Sequence, residues 1–194
     1  KELESTSIKI GKTAIQLIQL GQIEDATNLL KLATQLNPDE EILWIGLADA
    51  QIKANKKKEA IKSLNAAINL NPNNASSYFT KASIYMNLKN PKNAIKYLKK
   101  ALSIDKNSER GYFQLGNAEI MLKNYDFALI AFRKAIKINP NFWQSINNEG
   151  IVLYELDNPK KAISKFRLAL KISNDAEPML ALAIILFLSE NNLI

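Results

Sequence analysis

Apolar positions recur along this chain at a spacing of 34 residues. Ala26, Ala60, Ala94, Ala128 and Ala162 fall in one register, and Ala33, Ala67, Ala101, Ala135 and Ala169 in a second, seven residues on. Between them, four after the first alanine, stand Leu30, Leu64, Leu98, Phe132 and Phe166. Residues at i, i+4 and i+7 share one face of a helix. Small residues there let another helix approach, and the large one fills the groove between the two. An upstream register carries Trp44, Tyr78, Tyr112 and Ile146, each followed four residues later by a small one: Ala48, Ala82, Gly116 and Gly150. The pattern predicts two helices per unit, A and B. Asn37-Pro38, Asn71-Pro72 and Asn139-Pro140 close the units, because proline cannot continue helix B. A period of this length marks a stack of helical repeats.

Taken in order, the units are 7–40, 41–74, 75–108, 109–142 and 143–176, with a partial unit at 177–194, all within one domain spanning 1–194. Residues 1–6 read as a lead-in. Helix A of the first unit is expected from Ser7 to Leu20, ended by Gly21. Asn90-Pro91 and Asn158-Pro159 have the form of an N-cap followed by proline in the first turn. Three departures stand out. Lys81 and Glu149 occupy a register held elsewhere by Leu47 and Leu115, and Lys106 replaces a closing proline, which predicts a softer junction.

The set Tyr112, Leu115, Gly116, Ala128, Phe132, Ala135 and Pro140, at this period, resembles the tetratricopeptide repeat. The resemblance covers nearly the whole chain. It implies an all-α fold: an α-solenoid, coiled as a right-handed superhelix, of five stacked antiparallel helix pairs plus a final partial repeat. It also implies that the A helices line a concave groove holding an extended or helical segment of another protein. Function in such arrays depends on the partner, which the fold does not name.

On that implication, the groove rows carry Ile45, Phe79, Phe113 and Asn147, then Gln114 and Asn148 one residue on, with Asp49, Ser83 and Asn117 between rows and Tyr154 at the fifth-repeat end. Apolar anchors with sparse directional polar groups suit a peptide or helix. Phe79 and Phe113 serve equally well as packing against a neighbouring repeat, and Asn117 and Asn148 as residues that order the helices. A carboxylate clamp of the kind found in co-chaperone members does not fit. Of Ile45, Asp49, Thr80, Arg110 and Gln114 only Arg110 has the required character, and Asn117 and Asn148 lack the accompanying cations.

Composition narrows the chemistry. With no cysteine and no histidine, the chain lacks thiol nucleophiles, disulfides, and the commonest general base and metal ligand. Gly111 to Gly116 has phosphate-loop spacing but lacks the following Lys and Ser/Thr, and its carboxylates are scattered. No enzyme, cofactor or metal site is expected. Net charge is +7, and the third repeat alone has seven lysines against Asp105, giving +6. That allows an alternative in which Lys89, Lys92, Lys96, Lys99 and Lys100 track nucleic-acid phosphates. Lysine bias and only three arginines weigh against it.

The longest apolar run, Met179 to Leu188, is ten residues, too short to span a membrane. It points to further chain, to a partner, or to self-association through Leu182, Ile185, Leu186 and Leu188. The chain starts at Lys1 without methionine, leaving a removed leader or anchor open. The expected location is cytoplasmic.

Overall fold

The computed structural model describes residues 2–173 and 176–190, with side chains described for 5–173 and 178–186. Among these residues there are eleven α-helices and no strand. The A helices are α1 (Glu2–Gln19), α3 (Glu41–Lys53), α5 (Ala75–Asn87), α7 (Glu109–Met121) and α9 (Trp143–Glu155). The B helices are α2 (Ile23–Leu36), α4 (Lys57–Leu70), α6 (Pro91–Ile104), α8 (Tyr125–Ile138) and α10 (Pro159–Ile172), and α11 (Ala176–Glu190) follows. Successive B helices start 34 residues apart, as the apolar register requires. The chain divides into two compact units, Lys1–Ile84 and Tyr85–Ile194. In the first, α1 packs on α2, α2 on α3 and α3 on α4. In the second the same order runs from α6 to α11. Each is an all-α stack of helix pairs.

The turn from A to B is built the same way five times. Gly21, Asn55, Lys89, Lys123 and Asp157 all have left-handed backbone, with φ between 55° and 79°. The next amide then reaches back to a carbonyl five residues earlier, as in Gln22 N to Leu17 O and Asn124 N to Glu119 O, both 2.9 Å. This closes the helix by satisfying its last carbonyls. Only the first repeat uses glycine for it. Asn90 caps α6, accepting from Asn93 N at 3.2 Å, with Pro91 in the first turn. Asn158 precedes Pro159 in the same way, but its side chain makes no capping bond. At the B-helix ends, Asn71, Asp105 and Asn139 each accept from the amide two residues on. Asp105 keeps this turn where Lys106 replaces proline.

Small and large residues answer each other across each A–B pair. Ala48 and Ala82 lie in the repeats that carry Leu64 and Leu98, while Gly116 and Gly150 lie in those that carry Phe132 and Phe166. A β-carbon on Gly116 would sit 2.6 Å from Phe132 Cζ, and one on Gly150 2.7 Å from Phe166 Cε1. Both phenylalanines are buried in one cluster with Val152, Leu153 and Ile185. In the first unit Ala14, Ala26, Leu30, Leu47 and Ala50 form a corresponding core.

One boundary differs from expectation. α1 begins at Glu2, not Ser7, since no glycine or proline interrupts residues 2–6. And α11, apolar nearly all round, is not wholly outward: Ile185 is buried and Ala181 and Leu182 pack against the same cluster. Among its described side chains, the large apolar residues that stand exposed are Met179, Leu180 and Ile184.

Candidate functional site

In the second unit, α7 and α9 carry six of the sequence candidates, and hydrogen bonds join three of them. Asn148 Nδ2 donates to Asn117 Oδ1 at 2.8 Å, joining the two helices through their side-chain amides. Asn147 Nδ2 donates to Asn148 Oδ1 at 3.4 Å. Both Asn117 and Asn148 are half-buried, so the pair is visible from solvent. Asn147 is fully buried: one residue turns a side chain by about 100° on a helix, which carries it from the surface into the stack. Phe113 packs edge-on against Phe142, with centroids 5.3 Å apart, and tilted against Phe132 at 6.0 Å. Tyr154 packs on the same cluster. Phe113, Tyr154 and Gln114 are each half-buried, so packing does not remove them from the surface.

The first unit holds the remaining groove candidates. Ile45, Phe79 and Ser83 are half-buried and Asp49 is exposed. In the same unit, α1 and α3 form an apolar cleft of about 200 Å³ lined by Ile8, Gly11, Lys12, Ile15, Ile42 and Gly46, among others. Ile8, Ile15 and Ile42 are exposed there. The glycines keep its floor low. In the sequence the isoleucines are individually unremarked positions, and they gain meaning only when α1 and α3 lie side by side.

The two ionic departures are buried, and each has partners. Lys81 donates to Asn65 Oδ1 on the preceding B helix. Glu149, with a side chain 2% exposed, accepts from Arg133 Nε at 2.8 Å and pairs with Lys165 Nζ at 2.7 Å. These groups are committed to stacking. Among the described residues, no group of three acidic residues could hold a metal ion. The lysines of the third repeat, Lys89 to Lys100, stand exposed on and before α6, and Lys96 lies over the Tyr97 ring at 5.7 Å. Of the proposed self-association residues, Ile185 is buried, Leu182 and Leu186 are half-buried, and the side chain of Leu188 lies outside the described residues. No helix among the described residues is long and apolar enough to cross a membrane.

Family models described as tetratricopeptide repeat match residues 17–83, 75–108 and 109–142. No curated protein matches the sequence. Among solved structures, a MamA protein superposes with a TM-score of 0.81 at 21% identity, covering 88% of this chain and 92% of its own. MamA from Desulfovibrio magneticus RS-1 gives 0.80 at 17%, covering 86% and 94%. YrrB, described as a TPR protein with an unusual peptide-binding site, gives 0.78 at 23%, covering 92% and 91%. At these identities the likeness is one of fold.

Proposed function

The chain belongs to the tetratricopeptide repeat family, and on that footing we propose that it is a non-enzymatic interaction module, an adaptor or assembly factor, binding a peptide or helix of another protein on its A-helix face. The observation that carries this reading is the Asn117–Asn148 amide pair, one turn of α7 from the half-buried Phe113. Asn117 spends its carbonyl on Asn148, which leaves its Nδ2 as a directional donor for a partner's main-chain carbonyl. Half-exposed aromatics next to a fixed donor are what peptide recognition needs: area from the rings, orientation from the amide. The apolar α1–α3 cleft offers a second, purely hydrophobic contact. YrrB's peptide-binding site makes a peptide ligand the natural class to test. In this reading the module works in the cytoplasm.

Affinity capture from the native lysate, with wild type, Phe79→Ala and Asn117→Ala, tests it. Phe79 is the better aromatic to remove, since Phe113 is tied into the core. A protein held by wild type and lost from Asn117→Ala, with helical circular dichroism unchanged, is the expected outcome, and Phe79→Ala reports separately on the A-helix face of the first unit. Identical sets from all three would refute the assignment.

A second reading rests on α11, whose outward Met179, Leu180 and Ile184 are each at least half exposed. Such a face suits a second copy of the chain.

A further inference from the structure

The second unit has a cationic trough that the A-helix face does not use. It lies between α6 and α8, over the side of α7 carrying Tyr112, Leu115 and Glu119, away from Phe113 and Asn117. Three pits of about 270, 190 and 600 Å³ run end to end along it. The first and second share Lys99, Glu119 and Phe127, and the second and third share Tyr112 and Lys134. Lys92, Lys99 and Lys106 form one wall, Lys134 and Lys137 the other. Lys134 is steadied over the Tyr112 ring, 5.4 Å from its centroid. The α8 wall also carries two large apolar residues that the fold does not cover, Phe127 at 61% and Ile130 at 57% exposure. Glu119 is the one acidic residue lining the pits. It is nearly buried and accepts from Asn124 Nδ2 at 2.8 Å, and its single charge is outnumbered by the five lysines. Asp126 is exposed beside Phe127 but lines none of them.

We infer that this trough binds an acidic segment of a partner protein, with one apolar side chain of that segment seated on Phe127 and Ile130 and its carboxylates meeting the lysine walls. Length agrees: α6 and α8 have 14 residues each, about 21 Å of helix, which matches roughly six residues of extended chain. Charge complementarity selects acidic ligands and speeds their approach. Concavity selects a side chain over a flat bilayer. A nucleic acid is the poorer fit, because none of the three arginines lines the trough and Arg133 is already paired with Glu149.

Fluorescence anisotropy with the full chain tests this. The probes are a fluorescein-labelled acidic peptide with one central phenylalanine, the same peptide with glycine there, labelled oligouridylate, and phosphatidylserine vesicles. The phenylalanine peptide is expected to bind about tenfold more tightly than the glycine peptide, the worth of one seated apolar side chain. Phe127→Ser should erase that preference, and Lys99→Glu/Lys134→Glu should weaken both peptides by about tenfold or more. All three positions are exposed, and a melting curve checks each variant's fold. Equal affinity for the two peptides, no binding of either at low salt, a preference that survives Phe127→Ser, or tighter binding of oligouridylate or vesicles would each overturn the inference.

Discussion

Glu149 sits where other repeats place leucine, and its burial makes sense only through Arg133 and Lys165. A buried carboxylate loses several kcal/mol of hydration, and two cations at hydrogen-bonding distance offset most of that. Arg133 is 58% exposed and Lys165 31%, so both can turn to water if the carboxylate goes. Glu149→Leu is therefore expected to be neutral or to stabilise by about 1 kcal/mol, whereas Arg133→Ala/Lys165→Ala, which strands the charge, should cost about 3 kcal/mol. Urea unfolding measures both, and a Glu149→Leu variant weaker than the double-alanine variant would contradict this account. The departures at Lys81 and Glu149 were legible in the sequence. Their partners were not, because Asn65 and Arg133 lie 16 residues upstream on the preceding B helix, a distance with no sequence rule attached. The same limit holds at the candidate site. Register placed Asn117 and Asn148 on neighbouring A helices, but only the packed helices show their amides bonded. Asn147, adjacent to Asn148, proves to be buried.

Between helices, the governing relation is the exchange of volume across each A–B pair. Gly116 is glycine because Phe132 fills the space its β-carbon would need. Gly116→Ala gains about 1 kcal/mol of helix propensity but overpacks by about 1–3 kcal/mol, so a net loss of about 0–2 kcal/mol is expected. Adding Phe132→Leu restores the pairing seen at Ala82 and Leu98. The double variant should then be more stable than the sum of the two singles by about 1 kcal/mol or more. Additive losses in chemical denaturation would mean the ring yields freely. Both registers were plain in the sequence, as was the helix count they imply. Their coupling was not, since glycine-with-phenylalanine and alanine-with-leucine are only a coincidence of composition until the helices are laid together. The left-handed turns were half legible. Gly21 declared itself, while Asn55, Lys89, Lys123 and Asp157 adopt the same φ with side chains that do not advertise it.

Across the whole molecule, repetition made the fold legible and leaves the partner unspoken, since the core registers recur while the surface differs from repeat to repeat. The apolar end of the chain shows this well. Its character was evident, but the face turned outward proved to be Met179, Leu180 and Ile184, because Ile185 is drawn into the Phe132–Phe166 cluster. Leu180→Lys/Ile184→Lys should therefore lower the mass measured by light scattering at high concentration if α11 joins two copies, without altering the melting temperature. A mass that is already monomeric in wild type would remove that second reading. The central claim concerns the A-helix face, and the side-chain amide signals of Asn117 and Asn148 report on it directly in a nitrogen–proton NMR spectrum. Titrating a peptide selected on this chain from a displayed library should shift both signals along one saturating curve. If they stay fixed while signals from the B helices move, the A-helix face is not where this protein holds its partner.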